Sequence, residues 1–292
     1  MTRKKGENTI NLDNIARSIA LVSDTHVLSD YALVPREPLY ASKFGDDGRW
    51  LNPPEALSKG QIEIQEDWYD KFLPICDEFR VDTVMHFGDA CQGCNPREGG
   101  IDCLTPDIDY QIDAVEAVMK PLVKGRIYHQ LSGTLYHEAL DVRIHRELVR
   151  RLKPICKAAY FHGKFANIAF KGTNKIMNCA HAATSALIYP ATVIDREMTF
   201  LKMAVAEGRV PKADYLVRGH LHRYIHIDYP DIHGIQLPGW MTWFPLGDKV
   251  RLYGRTQPDI GGMILLIDKL NRTILLHFLY RTPNIIDFVR SG

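Results

Sequence analysis

The sequence has no run of apolar residues long enough to cross a bilayer; its most apolar stretches, such as "GGMILLID", are far too short. The basic opening "MTRKKGENTINLDN" is not followed by the apolar core of a signal peptide, so a cytoplasmic protein with no membrane partner is expected. Charge of one sign is also lacking. The 36 Lys and Arg against 35 Asp and Glu leave a formal net charge of +1, and nothing global draws the chain to nucleic acid or to an acidic surface. Cysteine is sparse, at six positions: Cys76, Cys91, Cys94, Cys103, Cys156 and Cys179. Without a secretory signal these do not suggest a disulfide framework. The lone Cys91-x-x-Cys94 lacks the second pair that a structural zinc site needs, so the thiols are given no role. There is no internal repeat, low-complexity tract or Pro/Gly/Ser linker. What remains is an ordinary globular balance, 46% hydrophobic over 292 residues, enough to bury a sizeable core in one or two domains.

Apolar periodicity then places the elements. "SIALVS" (18–23) reads as a strand ending at Asp24, and "EDWYDKFLPICDEF" (66–79) as a helix kinked at Pro74. "VDTVMHF" (81–87) reads as a strand ending at "GD", and "RIYHQLS" as one ending at Gly133. Helical spacing links Ile112, Val115, Val118, Met119 and Leu122, and again Leu140, Ile144, Leu148 and Leu152. "FANIAF" and "KIMNCAH" read as adjacent strands joined through "KGTN". Ile194, Met198, Leu201 and Val205 mark a helix stopped at Gly208. Beyond "YLVRGHLHRY" the chain is strand-rich, with "YIHIDY", "GGMILLID" and "TILLHFLY". This pattern predicts a mixed-sheet α/β sandwich. Residues 27–65 are long, Pro- and Gly-punctuated, and carry Tyr31, Tyr40, Phe44 and Trp50; they are expected to form a lid-like insertion over the site.

The residues able to do chemistry stand where strands end. The first strand gives Asp24 and His26, the next Asp89; "SGTLYHE" adds His137, "NCAH" adds His181, and "RGHLH" adds His220 and His222. Any one pair is most often a turn. In this order, and the clearest of them directly after an apolar run, they point to a metal, because neutral imidazole is the commonest metal ligand and α/β sheets bind ligands beyond their strand ends. The other histidines read more plainly. His86 is expected in the core or supporting a ligand from behind, and His129, His145, His162, His226, His233 and His277 have no motif around them. Trp240 and Trp243 are expected in the core rather than lining a cleft. The basic residues of 143–153, among them Arg146 and Arg150, read as a solvated helix face, with contact to a phosphate backbone as the alternative.

The order of motifs resembles the calcineurin-like metallophosphoesterase superfamily, whose signature runs D-x-H, G-D-x-x-D, G-N-H-D/E, a lone H, and G-H-x-H. Here these are Asp24-Thr25-His26, Gly88-Asp89, the altered "GTLYHE", His181 and Gly219-His220-Leu221-His222. The resemblance implies a single domain over 1–292, folded as a two-sheet sandwich of mixed β-sheets flanked by helices. It implies two divalent metal ions of the Mn, Fe, Ni or Zn kind, the first held by Asp24, His26 and His222 and the second by His181 and His220, with Asp89 bridging. Mixed imidazole and carboxylate ligands suit such metals. It implies hydrolysis of a phosphate ester by metal-activated water, with His137 as the acid that protonates the leaving oxygen.

Two departures refine that reading. Gln92 stands where the second block has its second Asp, and the Arg that follows that Asp in the protein phosphatases is missing, which favours a phosphodiesterase or nuclease. In the third block Thr134 replaces Asn and His137 arrives two residues late, a "GT-x-x-H" form that resembles phosphoesterases of phages and prophages. The alternatives are a phosphomonoesterase, or a non-catalytic binding or assembly protein that keeps the fold. The expected partner is a phosphate ester, with nucleic acid among the options.

Overall fold

In the first strand, β1 (Ile15–Val22), apolar residues point both ways, and both faces are covered. Ile19 and Leu21 enter one core while Ala20 and Val22 enter another, all with 1% exposure or less. A strand buried on both sides reads as a continuous apolar run, which is why no polar alternation marks it in the sequence. The computed structural model describes residues 10–38, 57–94, 103–137, 143–181, 189–242 and 258–280. Leu140, Trp243 and the Tyr40, Phe44 and Trp50 of the expected lid lie outside these residues.

After β1 comes a helical run, α1 (Lys59–Glu66), a wider π turn (Asp67–Phe72) and α2 (Leu73–Glu78). Ser58 and Gln61 cap its start reciprocally. Pro74 has no N–H to give the helix ladder, and just before it the bonding slips one residue, the Leu73 N–H reaching the Trp68 carbonyl. Next follow β2 (Thr83–His86), α3 (Ile108–Val123), β3 (Ile127–Gln130), α4 (Arg143–Leu152) and β4 (Ala158–Phe161). The second half holds β5 (Phe165–Ala169), β6 (Ile176–Ala180), α5 (Pro190–Ala206), β7 (Tyr215–Arg218), β8 (Ile225–Tyr229), β9 (Ile232–Gln236), β10 (Ile260–Asp268) and β11 (Thr273–Tyr280).

Two mixed sheets result, ordered β11-β10-β1-β2-β3-β4 and β5-β6-β7-β9-β8. In the first, β1 to β4 run parallel and β10 and β11 pair antiparallel; in the second, β6, β7 and β9 are parallel. One core fills the space between the sheets, with Leu21, Met85, Val217 and Leu265. A second lies under α1 to α4, with Trp68, Phe72 and Val118. A third packs Ile194 and Met198 of α5 onto the second sheet. The protein is thus an α/β sandwich of two mixed sheets flanked by helices, as expected from the sequence. The two strands not foreseen are short. β4 is an edge strand, and β9 carries Gly234, where a Cβ would meet Met198 and Ile194.

Of the segment 27–65, Val27, Leu28, Leu33 and Val34 are fully buried, and residues from Lys59 onward belong to α1. Trp240 is also fully buried, edge-on to Trp68 at 4.8 Å, in the core as expected. Among the described residues no cysteine is in a disulfide. No helix among the described residues is long and apolar enough to cross a membrane.

Candidate metal centre

Parallel strands deliver their carboxyl ends to one rim, and the two sheets deliver theirs to the same place. Asp24 and His26 follow β1, Asp89 follows β2, Thr134 and His137 follow β3, His181 follows β6, and His220 and His222 follow β7. The loops after β1 and β2 run side by side, the Asp24 N–H donating to the Gly88 carbonyl at 3.1 Å and the His26 N–H to the Asp89 carbonyl at 3.0 Å. The Gly219 N–H ties the two second-sheet loops by donating to the His181 carbonyl at 2.8 Å.

The backbone there is strained. Asp24, His26, Asp89, His220 and His222 all have positive φ, from 39° to 76°. For residues with a Cβ this costs of order 1–3 kcal/mol each and persists only where the surroundings impose it, as at functional sites. Close approach adds a second constraint. A Cβ on Gly219 would run into Ser23 Oγ and sit 3.0 Å from Asp24 Oδ2 and 3.1 Å from His181 Nδ1.

All seven side chains singled out in the sequence come together. Asp24 Oδ1 lies 3.3 Å from His222 Nε2, 3.8 Å from His26 Nε2 and 3.8 Å from His181 Nε2. His26 Nε2 and His222 Nε2 face each other at 3.3 Å. Ligand atoms of Asp24, His26 and His222 form one compact group, those of Asp24, Asp89, His181 and His220 a second, and those of His26, Asp89 and His137 a third. Asp24 is therefore shared between groups just as Asp89 is.

Asp24 Oδ1 is buried with no hydrogen-bond partner, while Oδ2 accepts from the Ser23 hydroxyl and from the His220 N–H at 2.9 Å. A fully buried carboxylate oxygen without a donor is costly, and a cation is what satisfies it. The spacings agree: bonds of about 2.1 Å in a tetrahedral site put ligand atoms about 3.4 Å apart. The residues present fit a metal.

The charges agree as well. Burial pushes the Asp24 carboxyl up, but the imidazoles of His222 and His181 more than offset this and hold it well below the usual carboxylate range. Asp89 is likewise held low against burial, by His181 and His137. Burial opposes the charge on His181, yet Asp89 at 2.9 Å and Asp24 raise it to about 9. Its Nδ1 meets the Phe87 carbonyl at 2.6 Å, which can only accept, so Nε2 is the atom turned to the carboxylates. His26 is pushed down to about 4 by burial and His137, and His220 is lowered by burial and His181.

Three residues support the ligands, of which the sequence reading expects only His86 in such a place. Gln92, in place of the second-block Asp, gives its Oε1 to His26 Nδ1 at 3.1 Å and its carbonyl to His137 Nδ1 at 2.6 Å. Thr134, in place of Asn, donates its N–H to Asp89 Oδ1 at 2.7 Å and sets its hydroxyl 3.2 and 3.3 Å from the two Asp89 oxygens. His86 is fully buried behind the site, its Nδ1 accepting from the Gly88 N–H at 3.2 Å and its Nε2 3.1 Å from Thr25 Oγ1. Little local pattern marks these partners: apart from the Gly88 N–H on His86, the contacts join residues 45 to 66 positions apart.

Among solved structures the chain is similar to an archaeal phosphodiesterase, at 13% identity and TM-score 0.44 over 89% of this chain and 99% of that one. It is similar to the Vps29 of Entamoeba histolytica complexed with zinc, at 12% identity and TM-score 0.38, covering 90% and 98%. It is also similar to a conserved protein of Streptococcus pneumoniae described as a predicted phosphoesterase, at 13% identity and TM-score 0.33, covering 90% and 98%. No family model matches the chain, and no curated protein does. The likeness to calcineurin-like metallophosphoesterases is carried by the order of the strand-end motifs and by the two-sheet architecture that joins them.

Proposed function

We propose that this protein is a two-metal phosphoesterase that hydrolyses a phosphate ester, with a phosphodiester as the favoured substrate. The observation that carries the reading is the convergence of His26 Nε2 and His222 Nε2 on Asp24 Oδ1, a buried oxygen that accepts no hydrogen bond, with Asp89 and His181 beside it. Asp24, His26 and His222 would hold one ion, and His181, His220 and Asp89 the other. Bound there, two divalent cations supply an activated water and charge stabilisation at a phosphoryl group.

The chain's own residues do the rest. Thr134 fixes the rotamer of Asp89 by gripping its carboxylate from backbone and hydroxyl together. Gln92 orients His26 and His137 at once. Because the Gln92 carbonyl only accepts, His137 carries its first proton on Nδ1, and Nε2, 4.0 Å from Asp89 Oδ2, is the atom that takes up and delivers a second. His137 is thus suited to protonate a leaving oxygen.

The diester preference rests on a missing Arg: Gln92 stands at the second Asp of the second block, and it is followed by Gly93 rather than by the Arg that helps the superfamily's protein phosphatases hold the phosphate. A nucleic-acid substrate has less behind it. On α4, Arg150 is forked onto Glu147 at 2.6 Å, Arg151 bonds the same carboxylate at 2.9 Å, and Arg146 lies over the Phe161 ring at 5.6 Å.

The test is turnover of bis(p-nitrophenyl) phosphate, p-nitrophenyl phosphate, and single- and double-stranded DNA and RNA, by protein loaded with Mn, Zn, Ni or Fe. Diester cleavage that Asp24→Asn abolishes is the expected result. Metal binding without turnover of any substrate would instead favour the non-catalytic alternative.

A further inference from the structure

A separate set of ligating side chains lies on the β8–β9 hairpin, at the edge of the second sheet. His226 and Asp228 are two apart on β8 and so leave the same face of the strand. The antiparallel register sets Asp228 directly opposite His233 of β9, with His226 as its diagonal neighbour. Three residues able to bind a metal are thereby stacked on one face of one hairpin.

Their atoms are close enough to share an ion. His226 Nε2 lies 3.3 Å from His233 Nδ1, and His233 Nδ1 lies 3.1 Å from Asp228 Oδ1. One ligand atom from each residue falls within 4.8 Å of the others. Tetrahedral bonds of about 2.0–2.2 Å place ligand atoms about 3.3–3.6 Å apart, so two of the three edges are already near that size. The rings are also held. The imidazoles of His226 and His233 lie 22° from parallel, and Tyr215 stacks on the other side of His233 at 5.6 Å. Burial and the neighbouring His233 lower the pKa of His226, which favours its neutral form.

We propose that His226, Asp228 and His233 form a third metal site, which takes one divalent transition cation of the zinc type and clips the edge strand β8 to β9. Two imidazoles and one carboxylate suit such an ion and leave a fourth position to water. The site shares no residue with the strand-end centre, and the inference does not rest on the phosphoesterase reading.

The experiment uses tag-free full-length protein, stripped by chelation, titrated with Zn²⁺ alone and analysed for zinc per chain after desalting. Wild type is expected to hold one zinc more than Asp228→Asn and one more than His233→Ala. Losing even a residue that supports a ligand costs roughly 10–100-fold in affinity, so losing a ligand should cost at least that. Asp228 is 66% exposed, so its Asn variant keeps the fold and decides the matter if His233→Ala does not fold. Asp24→Asn should keep the hairpin zinc while losing metal at the strand ends, which separates this site from the first. Equal zinc content and affinity in wild type and Asp228→Asn would overturn the proposal and leave the three residues as a hydrogen-bonded chain.

Discussion

At the level of single residues, protonation separates the two roles open to His137. It stands in a group with His26 and Asp89 that could bind a metal, yet its Nε2 is also placed to deliver a proton. An acid must hold a proton when the bond breaks, whereas a ligand must not. As an acid, His137→Ala should keep both metals and lose roughly 10²–10⁴-fold in turnover, less for a nitrophenolate leaving group that needs no proton. Steady-state kinetics beside elemental analysis decides it, since a variant short of one metal per chain would make His137 a ligand. The carboxylates offer a second residue-level outcome. The resemblance gives the bridging place to Asp89, but Asp24 Oδ1 reaches histidines of both groups within 3.8 Å. Asp24→Asn should therefore lower total metal content at least as far as Asp89→Asn, and full occupancy in either variant would remove that carboxylate from the ligand set.

At the level of elements, the loops beyond the strands hold the centre, and glycine is what lets them meet. Gly219→Ala pushes a methyl group against Ser23, Asp24 and His181 at the junction of the two sheets. Overpacking of this kind costs about 1–3 kcal/mol, and here it should also displace metal ligands. Gly163, in the turn between β4 and β5, has a φ of 70° and open space around its Cβ position. Gly163→Ala meets only the left-handed backbone penalty, about 1–2 kcal/mol. Both variants should melt below wild type, but only Gly219→Ala should lose metal.

Across the whole molecule, the centre joins strand ends of both sheets, so metal and stability are linked. A ligand that binds only the folded chain adds about 4 kcal/mol at a thousandfold excess over its Kd. Chelation should lower the melting temperature of wild type by more than that of Asp24→Asn, as differential scanning calorimetry would show. Acid should act through the core. Burial and the neighbouring His145 push His86 down from the ordinary 6.5 to about 3. Between those values the unfolded chain binds a proton there that the folded chain does not. The contribution is thus complete above about pH 6.5 and is lost as pH falls, at about 1.4 kcal/mol per unit for one such group. Metal-free His86→Gln should show a shallower fall in stability from pH 6.5 to 4 than metal-free wild type, and parallel curves would contradict this.

The sequence by itself determined the sandwich and the identity of the seven strand-end residues. Strands buried on both faces and helices with one apolar stripe leave local, periodic marks, and the D-x-H and G-H-x-H pairs are local as well. Only the tertiary structure decided what surrounds them. Gln92 meets His26 across 66 positions, Thr134 meets Asp89 across 45, and Asp24 meets His222 across 198. That Asp24 is shared between groups, and that His226, Asp228 and His233 face one another across a hairpin, follows from strand register. Register is fixed by the packing of both sheet faces at once, and a contact that depends on it has no signature in the residues on either side.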